Sequence, residues 1–249
     1  MGTDGSARMM PLTLPGGTGI EARHFTSMVF ALALAGTALV AHTVGSWLTY
    51  TRGPTGWSDS RERVPVTLGT TELKVPANMM RRVEERVAGG PVDRLSLAVL
   101  WPSMEGYSEI NARAFADPSD TSAVILVALE PTLTADIMDT SERLTQVWLS
   151  LASGDPLPGP AGLALLPLPG DPASGTDFVA HRSDQGRLFA ARCFTPRDKA
   201  LAATCERSIR LGDGLFATYR FRQAQLEHWQ KLDEGVATLV AGLTPKPAS

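Results

Sequence analysis

The sequence predicts an α+β fold: a single N-terminal transmembrane helix, then a domain with a mostly antiparallel sheet and a packed C-terminal helix. Three observations predict it. One apolar run of membrane length lies near the N-terminus. Behind it, strand-like runs follow one another with hairpin-length connections and one helical interruption. A long apolar stripe at helical spacing closes the chain. The 249 residues hold 43% hydrophobic and 20% charged side chains, with a formal net charge of −3. Collagen-like, disulfide-scaffold, wholly disordered and polytopic membrane classes are excluded by these values. The acidic balance lacks the basic footprint of a nucleic-acid binder, so no nucleic-acid partner is expected.

Residues 1–24 are rich in Gly, Thr and Pro without periodicity and read as a disordered tail. Their Pro15-Gly16-Gly17-Thr18-Gly19 lacks the preceding strand and the Gly-Lys-Ser/Thr ending of a phosphate loop. Residues 28–41, MVFALALAGTALVA, contain Thr37 as the one clearly polar side chain. Extended to 25–48, the segment has no Asp, Glu, Lys or Arg. It reaches about 36 Å as a helix, enough to cross a hydrocarbon core. Trp47 and Tyr50 stand where rings favour the headgroup layer. A competing reading is a signal peptide cleaved near Ala33-Leu34-Ala35. Arg8 and Arg23 on one flank and Arg52, Arg61 and Arg63 on the other leave the charge rule undecided. The segment's position and the cysteines favour a cytoplasmic N-terminus and a periplasmic domain, a single-pass protein of the inner membrane.

Residues 49–65 read as a polar linker, 66–243 as the domain and 244–249 as a tail. Residues 66–75 read as one strand rich in β-branched side chains. Residues 95–101 alternate, and 123–129 (AVILVAL) are continuously apolar, as in a central strand. Residues 162–168, 178–182, 188–195, 204–211 and 215–221 complete the strands. A helix carries Leu144, Val147, Trp148 and Leu151 on one face, with Asp139 and Glu142 as its starting box. A second covers about residues 222–243, with Leu226, Trp229, Leu232, Val236, Leu239, Val240 and Leu243 as its stripe.

The chain has two cysteines, Cys193 and Cys205, in strands separated by the turn-like Pro196-Arg197-Asp198-Lys199. A hairpin centred on Lys199 places them opposite each other, because 193 and 205 lie equally far from 199. That geometry suits a cross-strand disulfide, which requires an oxidising compartment. Two reduced core cysteines are the rival reading. No Cys-x-x-Cys occurs, and neither His181 nor His228 has metal-ligand spacing, so no metal or cofactor is expected.

No Gly-x-Ser-x-Gly or His-Glu-x-x-His occurs. Glu84/Glu85 and Asp233/Glu234 are adjacent pairs that diverge on a helix and read as solvated. Trp101 and Tyr107, in Trp101-Pro102-Ser103-Met104-Glu105-Gly106-Tyr107-Ser108, are candidates for an interaction surface; Trp101 as a core cap and Tyr107 as a loop anchor is the competing reading. Met79, Met80, Arg81 and Arg82, with Arg86, form a local basic, Met-containing patch suited to anionic headgroups or a partner; a solvated surface diluted by Glu84 and Glu85 is the competing reading.

Residues 75–81 (VPANMMR), 101–108 (WPSMEGYS), the late cysteine pair and 219–240 (YRFRQAQLEHWQKLDEGVATLV) resemble uncharacterised single-pass envelope proteins of Gram-negative bacteria. The resemblance covers most of residues 70–243. It implies an anchor with a periplasmic domain and carries over no catalytic residue. The leading expectation is therefore a membrane-anchored accessory or protein-interaction module whose partners are the membrane and another envelope protein. The alternative is a periplasmic hydrolase with a site assembled from dispersed residues, with His181 or His228 as its base.

Overall fold

The computed structural model describes residues 56–132, 138–184, 187–212 and 214–245, together with 33, 34, 36 and 37. The chain divides into Met1–Thr55 and Gly56–Ser249. The expected tail at 1–24 lies outside the described residues. So does the expected span at 25–48, apart from those four helical positions, where Thr37 Oγ1 donates to the Ala33 carbonyl at 2.8 Å. No helix among the described residues is long and apolar enough to cross a membrane.

The second unit is a mixed α+β domain. Its main sheet has eight strands, all neighbours antiparallel. They are β4 (Leu95–Leu100), β5 (Val124–Pro131), β6 (Leu157–Pro158), β7 (Ala164–Pro167), β8 (Gly175–Asp184), β9 (Arg187–Pro196), β10 (Thr204–Leu211) and β11 (Leu215–Arg222). Their spatial order is β4-β5-β11-β10-β9-β8-β7-β6. A smaller sheet has the order β2-β1-β3, from β1 (Arg63–Leu68), β2 (Thr71–Pro76) and β3 (Gly90–Val92), with β1 and β3 parallel.

The single strand expected over 66–75 is a hairpin. Val66 and Leu68 are buried before the turn, Leu73 and Val75 after it. The apolar positions switch from even to odd across Gly69-Thr70, which is what a two-residue turn does to an alternating pattern. Gly69 has φ +60°, and a Cβ there would meet the Pro131 Cβ at 2.9 Å. The expected linker is also structured from Gly56 onward: Ala77 N donates to the Glu62 carbonyl and Asn78 N to the Ser60 carbonyl, both at 2.8 Å.

Short helices α1 (Val83–Ala88) and α2 (Ala112–Phe115) precede the two larger ones. α3 opens at Thr140–Arg143, widens into a π turn at Leu144–Trp148 and closes at Leu149–Leu151. Its starting box forms as the sequence predicts. Asp139 Oδ1 accepts from Ser141 N and Glu142 N, while Glu142 Oε2 accepts from Asp139 N at 2.9 Å. The helix expected over 222–243 is divided into a 3-10 segment (Gln223–His228) and α4 (Trp229–Ala241). Gln225 is turned inward within the first segment and donates to the Ser122 carbonyl at 3.0 Å.

Alternation sorts the side chains of β8 and β9 onto two faces. Phe178, Ala180, Phe189, Ala191 and Cys193 join the main core with Trp229, Leu232, Val236 and Val240 of α4. Val179 and Ala190 face the other way, onto Leu144 and Trp148 of α3. The small sheet contributes Val66, Leu68, Leu73 and Val75 to the main core, and Lys74 N donates to the Leu243 carbonyl at 2.8 Å.

The sheet is continuous across β9 and β10 over only three residue pairs: Phe194 with Thr204, Cys193 with Cys205, and Arg192 with Glu206. Beyond them the strands part, although each stays fully paired with its outer neighbour. The Cys193–Cys205 disulfide lies within this short joint, with a Cα–Cα distance of 4.0 Å. It therefore fastens the two four-stranded halves where backbone pairing is sparse. Replacing both cysteines by serine is expected to cost about 3 kcal/mol, from the loop closure alone. A lowered urea midpoint at unchanged slope will register this loss; an unchanged midpoint would contradict it.

Candidate functional site

Where β9 and β10 separate, polar side chains fill the fork. Register continued from the joint would set Arg207 opposite Ala191 and Ser208 opposite Ala190. Instead the Arg207 guanidinium donates to the Ala190 carbonyl at 3.0 Å. Thr140 Oγ1 of α3 donates to the Ser208 carbonyl at 3.0 Å, and Ser141 Oγ to the Leu188 carbonyl at 2.8 Å. The start of α3 thus supplies hydrogen bonds that the missing ladder would have made, one to each half of the sheet.

Arg207 is 5% exposed and lies on the core parity of β10, between Cys205 and Ile209. Its charge is met by Asp233 of α4, with Nε–Oδ1 2.8 Å and Nη2–Oδ2 3.3 Å. Tyr219 Oη donates to the same Oδ1 at 2.8 Å. The guanidinium also lies over the Phe189 ring, 4.6 Å from its centroid. Burial opposes the Arg207 charge, yet Tyr219 and Asp233 outweigh it and raise its pKa. Burial, and then the Asp233 carboxylate, push the Tyr219 phenol well above the usual tyrosine value, so it remains a donor. The sequence reading of Asp233 as solvated is corrected here: it falls on the apolar stripe between Trp229 and Val236. Glu85 is corrected likewise. It is 7% exposed, and its Oε2 accepts from Ser96 N at 3.0 Å, covering the open edge of β4.

The predicted surface residues divide. Met80 is fully buried and bridges to Leu97 of β4, so it takes no part in a surface patch. Met79 packs against the core, while Arg81 and Arg82 are exposed. Trp101 extends the core face of β4, and its ring lies 6.4 Å from that of His228. With Met104 it fits over Gly235 of α4, where a Cβ would come within 2.4 Å of Met104 Cε. Trp101 is thus a core cap rather than part of a docking face.

Tyr107 belongs to a different group. Its ring stacks on Trp57 at 5.9 Å, with an interplanar angle of 10°, and meets Phe115 edge-on at 5.5 Å. Trp57 and Phe115 are 5.1 Å apart. The loop is stitched to residue 78: Tyr107 N donates to the Asn78 carbonyl at 2.8 Å, and Asn78 Nδ2 to the Tyr107 carbonyl at 3.0 Å. Gly106 is required for that approach, since a Cβ would lie 2.7 Å from the Asn78 carbonyl oxygen. Trp57 and Phe115 line a cleft of about 200 Å³ with Arg81, Arg220, Arg222 and the outward side chain of Leu126. Three half-exposed aromatic rings rimmed by guanidiniums have the composition of interface hot spots. Sequence reasoning missed Trp57 and Phe115, which lie far from Tyr107 along the chain.

His181 and His228 are not brought together. The His181 Nε2 is buried without a hydrogen-bond partner, and burial lowers its pKa. No group of three or more metal-ligating side chains occurs among the described residues.

No protein-family model matches this chain. No curated protein matches it either. Two solved structures share its fold. One is an immunity protein of the Stenotrophomonas maltophilia type IV secretion system, with TM-score 0.51, 17% identity, and coverage of 75% of this chain and 95% of that one. The other is the Neisseria meningitidis iron-regulated outer membrane lipoprotein FrpD, with TM-score 0.50, 11% identity, and coverage of 77% and 96%. At these identities the likeness concerns the fold alone.

Two outcomes follow from the buried charges. Asp233→Leu or Arg207→Met is expected to cost about 3–5 kcal/mol, because either leaves a buried charge without its closest ionic partner. The double variant Arg207→Met/Asp233→Leu should recover much of that loss, and a double-mutant cycle in urea measures it; equal losses in single and double variants would contradict the pairing. His181 titrates lower when folded than unfolded, so protons favour the unfolded chain below about pH 6.5. His181→Gln should therefore flatten part of the stability decline on the acid side of that value, and matching pH profiles for variant and parent would refute it.

Proposed function

We propose that this protein is an accessory, protein-binding module of a Gram-negative inner membrane. Residues 25–48 anchor it there, with the N-terminus cytoplasmic and the α+β domain periplasmic. Its face of Trp57, Tyr107 and Phe115, with Arg81 at the rim, meets another envelope protein. The observation that carries this reading is that aromatic cluster. Its rings are held in mutual contact before any partner arrives, so little side-chain freedom remains to be lost on binding. Trp, Tyr and Arg are also the residues that most often dominate binding energy.

Two further facts support the location. The Cys193–Cys205 disulfide suits an oxidising compartment. The fold is shared with a secretion-system immunity protein and with an outer membrane lipoprotein.

A photoreactive phenylalanine analogue at Phe115, in the full-length protein in its native membranes, tests the reading. A discrete protein adduct is expected, reduced about tenfold by Arg81→Glu. Adducts to lipid alone, or a protein adduct indifferent to Arg81→Glu, would refute it.

A further inference from the structure

The fork between β9 and β10 encloses a cleft of about 620 Å³. That volume lies within the usual span of small-ligand sites, about 300–1,000 Å³. Its walls are the parted strands, the start of α3 and the first two turns of α4. The disulfide, the α3 bridges and the buried Arg207–Asp233 pair hold those walls in place, so the cleft is formed in advance.

Its charges do not close on themselves. Arg187 of β9 and Arg207 of β10 approach the one Asp233 carboxylate from two sides. Arg207 and Tyr219 already hydrogen-bond to that carboxylate. Arg187 Nη2 stops 3.6 Å from Oδ2, and Glu234 comes no nearer to Arg187 than 4.0 Å. Arg187 therefore has donors to spend. Lys231 lines the same cleft without an ion pair among the described residues. Arg210 is paired with Glu142 at 3.3 Å, and Asp139 is engaged by the backbone amides at the start of α3. The cleft wall carries four basic and three acidic side chains, and Glu142, which pairs with Arg210 from beside the wall, balances them; Arg187 and Lys231 are the cations least engaged.

We propose that this cleft binds a carboxylate, held by Arg187 and Lys231. A planar carboxylate suits the two-pronged guanidinium. A single negative charge meets less repulsion from Asp233 and Glu234 than a phosphate dianion would. The carboxylate can belong to a small metabolite or to an acidic side chain of a protein segment. The site stands apart from the aromatic face and does not depend on the function proposed for it.

Calorimetric titration of the full-length protein in detergent tests this, using N-acetylglycine, a capped heptapeptide with one central Glu, and inorganic phosphate as probes. Saturable binding of a carboxylate probe is expected, stronger than that of phosphate and weakened about tenfold or more by Arg187→Gln or Lys231→Gln. Both side chains are at the surface, so both variants should melt as the parent does. Tighter binding of the peptide assigns the carboxylate to a protein segment; tighter binding of N-acetylglycine assigns it to a small molecule. Arg81→Glu should leave these affinities unchanged, which separates this site from the aromatic face. Absence of saturation with both carboxylates, affinity unchanged in both variants, or equal or tighter binding of phosphate would each overturn the proposal.

Discussion

The three-pair joint between β9 and β10 is the constraint on which the domain is organised. An eight-stranded antiparallel sheet would ordinarily be continuous, each strand satisfying its neighbour's backbone along its length. Here the ladder stops after Arg192 and Glu206. Two four-stranded halves remain, fastened at one end by a disulfide and propped apart beyond it by Arg207 and the start of α3. Without that separation the cleft would not exist. Without the disulfide its hinge would rest on few backbone hydrogen bonds.

Opening a sheet exposes donors and acceptors that must find partners, and each unsatisfied group is costly. The fork meets that demand with residues distant in sequence. Thr140 and Ser141 come from a capped helix end, where short hydroxyl side chains already stand close to backbone. Arg207 reaches across to the opposite strand and is itself neutralised from α4. One guanidinium thereby couples both halves of the sheet to the final helix. The same arrangement leaves Arg187 as a second guanidinium beside a carboxylate that is already occupied, so the polar chemistry of the cleft is a consequence of how the fork is held open.

Much of the architecture is legible in the residues themselves. The strand at 204–211 is found where the pattern sets it, the Asp139/Glu142 box starts its helix, and the symmetry of positions 193 and 205 about Lys199 identifies the bonded pair. These features depend on local spacing. The fork depends on tertiary contacts, and only faint signals point to it. Arg207 has the parity of Cys205 and Ile209, so an inward charge could have been suspected. Asp233 lies on the apolar stripe of the last helix. Each reads as an ordinary exposed charge until the other is beside it. The aromatic face is less legible still, because it unites residues 57, 107 and 115 from a linker-like stretch, a loop and a short helix. Met80 erred in the opposite direction: adjacent arginines disguised a core residue.

Cross-strand nuclear Overhauser effects measure the separation of the two strands directly. An Hα–Hα contact is expected between Cys193 and Cys205 and none between Phe189 and Ile209, which continued register would place opposite each other. A contact between Phe189 and Ile209 as strong as that between the cysteines would mean that the sheet runs unbroken, and would contradict the fork and the cleft built on it.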